Sequence, residues 1–275
     1  MKKAGWVALF LCAALWMVGV TGSAVEDGTP LPVLMYHALL RNPNAWNDYV
    51  LSPDALEQDL IWLKAHGYSF VLPSQVIGFV QNRNPLPEKP VMITLDDGCL
   101  NHLTYLPEIL ERQDACAFLS VVGEYTERAD AEGEGHPEYS YLRSEDIGKL
   151  LQTGRVEIGN HSYNLHGLGQ RRGAMRCASE SREHWREVLT EDARRTQNLL
   201  RADCGVTPKV YTYPYGLISD GADEILKEMG FAMTLSCFER VTVLTSDESC
   251  LYSVGRFNRP SGISTEAFMR KIGLE

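Results

Sequence analysis

The sequence predicts an α/β fold, a (β/α) barrel of parallel strands in a single domain. Three observations carry that prediction. From residue 31 onward, apolar strand-like runs alternate with amphipathic helical stretches, the pattern left by a parallel sheet with crossover helices. The residues able to do chemistry fall where strands give way to loops, the functional face of such a barrel. A chain of 275 residues also suits one barrel, which commonly runs to about 250 residues. An open doubly wound sheet places its sites at the same strand ends and is the alternative architecture.

The N-terminus stands outside this pattern. Lys2 and Lys3 precede an apolar stretch from Ala4 to Val20, followed by Thr21-Gly22-Ser23-Ala24. A basic start, an apolar run and a small-residue cleavage site describe a signal peptide. The run is long for one, so an uncleaved membrane anchor is the alternative. Residues 1–24 are therefore assigned to export and residues 25–275 to the fold.

Strands are expected at the apolar runs Val33–Tyr36, Ser69–Leu72, Val91–Leu95, Ala117–Val121, Val156–Ile158, Val210–Tyr213, Ala232–Leu235 and Tyr252–Val254. Between them lie helices with start signals. Ser52-Pro53-Asp54 offers an N-cap and a first-turn proline before Leu56, Leu60, Ile61 and Leu63 at helical spacing. Ser144-Glu145-Asp146 and Ser264-Thr265-Glu266 open two more. The longest helix is expected over residues 178–202, with Trp185, Val188, Leu189 and Leu199 on its apolar side. The stretch from Asp130 to Tyr139, rich in Gly and Glu, reads as an exposed loop.

Composition narrows the function. Hydrophobic content of 44% and charged content of 23% are those of a globular protein, not a disordered one. A formal charge of -10 without any basic block speaks against a nucleic-acid partner. Cys99, Cys116, Cys177, Cys204, Cys237 and Cys250 include no Cys-x-x-Cys spacing, so a cysteine zinc site is not expected. An exported chain can form disulfides, and Cys237 with Cys250, which bracket a candidate hairpin, is the preferred pair.

Two segments carry the chemistry. Thr94-Leu95-Asp96-Asp97-Gly98 ends one strand, and His161-Ser162-Tyr163-Asn164-Leu165-His166 follows another. Neighbouring residues within a strand face opposite ways, so Asp96 and Asp97 can share a centre only where Gly98 lets the backbone turn. Their mutual repulsion would be relieved by a cation. His161 and His166, five apart, would sit about 140° apart on a helix and must converge from a loop instead. Each segment alone has a bland reading, an Asp-Gly turn and two unrelated loop histidines. Together they offer one carboxylate and two imidazoles for a zinc-like ion, with a position left for water. The second carboxylate can serve as base on that water. The pattern is that of a metal-assisted hydrolase.

At this point the sequence resembles a known family. Thr94-Leu95-Asp96-Asp97-Gly98 is similar to the Thr-Phe-Asp-Asp-Gly motif of polysaccharide deacetylases, the fourth family of carbohydrate esterases, which share a chitooligosaccharide-deacetylase homology domain. His161-Ser162 to His166 resembles their second motif, and Tyr213-Pro214-Tyr215-Gly216 the end of their third. Pro32-Val33-Leu34-Met35-Tyr36-His37 and Gly255-Arg256-Phe257-Asn258-Arg259 are familiar from bacterial members. The likeness spans residues 31–272 in order.

The resemblance implies a distorted barrel of about seven parallel strands and hydrolysis of N-acetyl groups on an amino-sugar polymer of cell wall or matrix. It implies Asp97, His161 and His166 as ligands to a divalent metal, zinc first and cobalt, nickel or manganese next. Asp96 would be the general base, and Pro214, Tyr215 and Gly216 would line the sugar site, with the Tyr215 N–H facing the oxyanion.

Three departures stand out. Many members carry an Arg where this chain has Thr212. Many supply a general acid from a late His, yet none follows His184. The His pair is also spaced one residue wider than usual. These features resemble the bacterial poly-N-acetylglucosamine and peptidoglycan deacetylase branch and make His37 the candidate acid, with capping of the first strand as its alternative role. His66, His102, His136 and His184 read as surface or supporting residues, Trp185 as packing, and Arg256 and Asn258 as salt-bridge or sugar contacts. Two rival functions remain at this stage: a glycan-binding pseudoenzyme, or a hydrolase of small non-peptide amides.

Overall fold

The computed structural model describes residues 28–274. The expected export segment, residues 1–24, lies outside the described residues. Among the described residues no helix is long and apolar enough to cross a membrane.

Eight parallel strands form one curled sheet. They are β1 Val33–Tyr36, β2 Ser69–Phe70, β3 Pro90–Leu95, β4 Ala117–Val121, β5 Val156–Asn160, β6 Val210–Thr212, β7 Met233–Leu235 and β8 Phe257–Asn258. Across the sheet the order is β7-β6-β5-β4-β3-β1-β8, with β2 paired to the first residues of β3. The helices are α1 Pro53–Ala65, α2 Pro73–Asn82, α3 Leu100–Gln113, α4 Gly123–Glu132, α5 Ser144–Gln152, α6 Arg182–Asp203, α7 Ala222–Glu228 and α8 Thr265–Lys271. A single-domain (β/α) barrel results, as the alternation of elements predicts.

The distortion lies at the seam. No strand forms at Tyr252–Val254. Ser253 takes a left-handed φ of 54°, and a 3-10 turn, Glu248–Leu251, precedes it, so only Val254 reaches the sheet. Its backbone pairs with Thr234 and Ser236 at the β7 edge. Three residues later β8 begins and pairs with β1 at the other edge. Residues 254–258 therefore stitch the two edges together.

Period-two alternation sorts the strand residues between two cores. Val91, Ile93 and Leu95 of β3, with Leu119 and Val121 of β4, pack outward against the helices. Met92 of β3 joins Phe118, Val33, Val210, Met233 and Leu235 in the apolar interior. Gly159 in β5 is required here, because a Cβ would stand 2.0 Å from the Phe118 ring. A third cluster packs α6 over β6 through Trp185, Leu189, Ala193, Tyr211 and Tyr213.

Helix starts mostly follow the sequence signals. The Ser52 and Ser264 hydroxyls accept N–H bonds from Ala55 and Ala267, relieving unpaired donors of the first turn. At α5 the cap is Arg143 instead, because Asp130 captures both the N–H and the hydroxyl of Ser144. Along α6 the buried side is Trp185, Leu189, Ala193, Thr196 and Leu200, with Val188 and Leu199 at its margin. The stretch expected to loop from Asp130 begins as the last turn of α4.

The expected Cys237–Cys250 disulfide is not formed, and all six described cysteines are free. Cys237 lies against Met35 and Arg256, whereas Cys250 lies against Thr245. No hairpin joins them, because the intervening strand, Thr242–Leu244, pairs with Thr29–Leu31.

Candidate metal centre and active site

Each candidate side chain sits just beyond the C-terminal end of a parallel strand. In β3 the inward series Met92, Thr94 continues to Asp96. Asp97 and Gly98 then adopt φ of 72° and 71°, a reversal that a β-carbon normally resists. The turn carries Asp97 toward the same centre as Asp96, as the Gly after the pair suggested. At the end of β5, Ser162 makes a matching reversal with φ of 70°. The loop after it is held by Asp192 of α6, whose carboxylate accepts the N–H groups of Tyr163 and Asn164 at 2.8 and 2.7 Å. His161 and His166 converge around that loop, their rings 4.9 Å apart.

Asp97, His161 and His166 each bring a ligand atom within 4.8 Å of the others. His161 Nδ1 donates to the Thr212 carbonyl at 2.9 Å, which leaves the Nε2 lone pair facing inward. His166 Nδ1 lies 3.4 Å from the hydroxyls of both Tyr125 and Tyr215. Its Nε2 is 3.1 Å from Asp97 Oδ1, and His161 Nε2 is 3.5 Å from the same atom. Asp97 Oδ1 is buried without a hydrogen-bond partner among the described residues. An ionised oxygen orphaned beside two inward imidazole nitrogens fits a cation better than it fits any protein donor. Burial would raise the Asp97 pKa, but the two imidazoles hold it well below the usual carboxylate range. Burial likewise pulls His161 down, and the Asp96 and Asp97 charges outweigh it.

Asp96 is fully enclosed and faces Arg256. Arg256 Nη1 and Nη2 donate to its two oxygens at 2.8 Å each, and Nε donates to the Ser236 carbonyl at 2.8 Å. Desolvation would favour protonated Asp96, but the guanidinium charge wins and lowers its pKa. Asp96 is therefore a steadied carboxylate. Arg256, read from the sequence as a salt-bridge or sugar contact, makes a salt bridge, and its partner is Asp96. The Thr212 hydroxyl hydrogen-bonds the Ser120 hydroxyl at 2.5 Å. The signal available was the segment Gly255-Arg256-Phe257-Asn258-Arg259. Its two arginines, three apart, diverge to opposite sides, Arg256 to Asp96 and Arg259 to buried Asp59.

His37 follows β1 and packs edge-on against Tyr49, with ring centroids 5.0 Å apart. Its Nδ1 is buried and unpartnered among the described residues. Burial lowers its pKa, and Asp96 and Asp97 partly oppose that. His102 is fully buried, not a surface residue, and its Nε2 donates to the His37 carbonyl at 2.9 Å. Pro214 is buried and Tyr215 is 42% exposed, with a left-handed φ of 59°. Gly216 (φ 63°) admits no side chain, since a Cβ would meet Cys237 at 2.5 Å.

The family model described as polysaccharide deacetylase matches residues 83–234, a stretch that contains Asp96, Asp97, His161 and His166 but neither His37 nor Arg256. A poly-beta-1,6-N-acetyl-D-glucosamine N-deacetylase of Escherichia coli K12 is 27% identical over 198 residues, 65% of this chain and 30% of that protein. The chain thus spans less than a third of that relative's length. Two solved structures share the fold. A Streptococcus pyogenes deacetylase, PplD, in complex with acetate superposes with a TM-score of 0.71, 20% identity and coverage of 89% of this chain and 99% of its own. IcaB from Ammonifex degensii gives 0.70, 24%, 89% and 96%.

Proposed function

The chain belongs to the polysaccharide deacetylase family, and from that premise we propose that it is an exported, metal-dependent N-deacetylase of N-acetylglucosamine polysaccharide. The observation that carries this reading is the Arg256–Asp96 pair beside the Asp97, His161 and His166 cluster. A binding protein has no need of a buried, charge-clamped carboxylate next to three convergent ligand atoms. The polymer named by the similar Escherichia coli protein, poly-β-1,6-N-acetylglucosamine, is the first substrate to try.

Asp97 Oδ1, His161 Nε2 and His166 Nε2 would hold a divalent ion, zinc by the chemistry of one carboxylate and two imidazoles. When bound, such an ion polarises the acetamide carbonyl and acidifies the attacking water. Asp96, kept ionised by Arg256, accepts the water proton. Its two oxygens are fixed by the guanidinium fork, so the accepting lone pair does not wander. The Tyr215 N–H, set by the turn after Pro214, donates to the oxygen on which charge develops. His37 protonates the departing glucosamine nitrogen. Tyr215, half exposed beside His166, walls the sugar.

Acetate release from N-acetylglucosamine oligomers tests the proposal, using chelator-stripped protein given back zinc, cobalt or nickel. Release restored by metal and lost in Asp96→Asn and His161→Ala supports it. Tight metal binding with no release from any glycan would sink it.

A further inference from the structure

The loop that carries His166 is neither helix nor strand, yet its backbone is held from two sides. On one side Gly123 and Glu124, which open α4, donate their N–H groups to the Ser162 and Tyr163 carbonyls at 3.0 and 3.1 Å. On the other side α6 supplies acceptors. The Asp192 carboxylate takes the N–H groups of Tyr163 and Asn164, and the Ala193 carbonyl takes Asn160 Nδ2 at 2.8 Å. Asn160 Oδ1 in turn accepts the Ser162 N–H at 2.9 Å. The end of β5 and the loop after it are thus fastened to one turn of α6.

The two histidines depend on this fastening unequally. His161 follows β5 directly. Its own N–H reaches the Val121 carbonyl at 2.9 Å, and its ring is held by the Thr212 carbonyl. His166 comes five residues later, and its ring meets the Tyr125 and Tyr215 hydroxyls at 3.4 Å, longer than a well-formed hydrogen bond. Where its Nε2 points is set by the backbone beneath it. The middle of that backbone is the Tyr163–Asn164 pair.

Asp192 makes this anchor at a cost to folding. Burial pushes its carboxyl up to about 6, with Glu124 adding repulsion, although the two amides and Arg195 pull the other way. Arg195 stands one turn along the helix, but its guanidinium is turned to Glu127 at 3.1 Å and lies over the Tyr163 ring at 3.6 Å. Above pH 6 the folded protein therefore carries a charge that the unfolded chain would carry more easily. An Asn here would be easier to bury, but its NH2 would face one of the two loop amides. A group kept against local stability, where two loop donors converge, points to a role in the site.

We propose that Asp192 is a positioning residue of the metal centre, fixing the Tyr163 and Asn164 amides so that His166 Nε2 meets Asp97 and His161. The inference deepens the functional reading above and rests on it for those three side chains as ligands. It makes α6, which contributes no ligand, a determinant of metal affinity.

The test is calorimetric titration of zinc into the full chain, stripped by chelator and checked for folding by circular dichroism. Asp192→Asn is expected to weaken zinc binding about tenfold to a hundredfold, the range for a residue that orients a metal ligand. Asp192→Glu keeps both acceptors on a longer arm and should fall between. It decides the matter if the Asn variant does not fold. Leu200→Ala removes a buried side chain farther along α6 and controls for mere destabilisation. It should lower the melting temperature and leave zinc affinity unchanged. Cobalt supplies a second readout, because its visible absorption reports ligand geometry and should change in Asp192→Asn but not in Leu200→Ala. Wild-type zinc affinity in every folded Asp192 variant, an equal loss in Leu200→Ala, or no zinc binding by wild type overturns the role. Acetate release is scored separately. Weakened zinc binding in Asp192→Asn, with no release from any glycan by wild type, would keep this role and lose the proposed function. Undiminished binding in the variants, with metal-restored release by wild type, would do the reverse.

Discussion

Arg256 meets Asp96 end on, one 2.8 Å bond to each carboxylate oxygen, and both side chains are buried. The pair spans 160 positions of sequence. Its geometry is a property of the closed barrel alone.

Replacing Arg256 with Lys keeps the charge but removes the planar fork. Acetate release is expected to fall on the order of a hundredfold in kcat, the scale associated with a misplaced reacting group, with little change in KM. Arg256→Ala strands a buried carboxylate and should lower folding stability by about 3–5 kcal/mol. Steady-state kinetics and urea denaturation check the two variants separately. A Lys variant with wild-type kcat would show that the fork is dispensable.

Metal add-back should raise the melting temperature of stripped protein. An ion that binds only the folded state adds about 2.7 kcal/mol at a hundredfold excess over Kd, or several degrees for a domain of this size. Asp97→Asn and His166→Ala should abolish the shift, while Asp96→Asn should keep most of it. Thermal scans with and without zinc decide this, and an undiminished shift in Asp97→Asn would remove Asp97 from the ligand set.

His102 predicts a pH dependence of stability. Burial lowers its pKa from 6.5 to about 4, so the folded state binds the proton less well than the unfolded chain. Stability from this residue is fully present above pH 6.5 and is lost as pH falls toward 4, with a slope of up to about 1.4 kcal/mol per pH unit. Denaturation of metal-free protein at pH 7 and pH 5 measures the loss. His102→Gln should lose less stability over that interval than wild type.

Gly159 and Phe118 form a steric lock inside the barrel. Gly159→Ala should cost about 1–3 kcal/mol by overpacking, and Phe118→Leu in the same chain should recover part of it. Chemical denaturation of the single and double variants checks the coupling. Strict additivity would mean that the strand moves aside instead.

Much of the fold was legible because its signals are local. A strand run, a capping serine or a Gly after paired carboxylates reports on a few neighbouring residues, and Ser52, Ser264 and Gly98 each behave accordingly. The gathering of Asp97, His161 and His166 was legible for the same reason, since each group ends its own strand. What escaped is long-range. Nothing near Arg256 in sequence announces Asp96, and nothing near Asp192 announces the loop amides it holds. The β-propensity of Tyr252–Val254 was overridden by the left-handed Ser253, and the thiols of Cys237 and Cys250 were separated by strand pairing that no spacing encodes.

The seam at residues 254–258 joins both edges of the sheet and also delivers Arg256. Closing the sheet and clamping Asp96 are therefore one event. A chain lacking residues 254–258 would still carry Asp96, Asp97, His161 and His166, yet Asp96 would lack the guanidinium that fixes both of its oxygens.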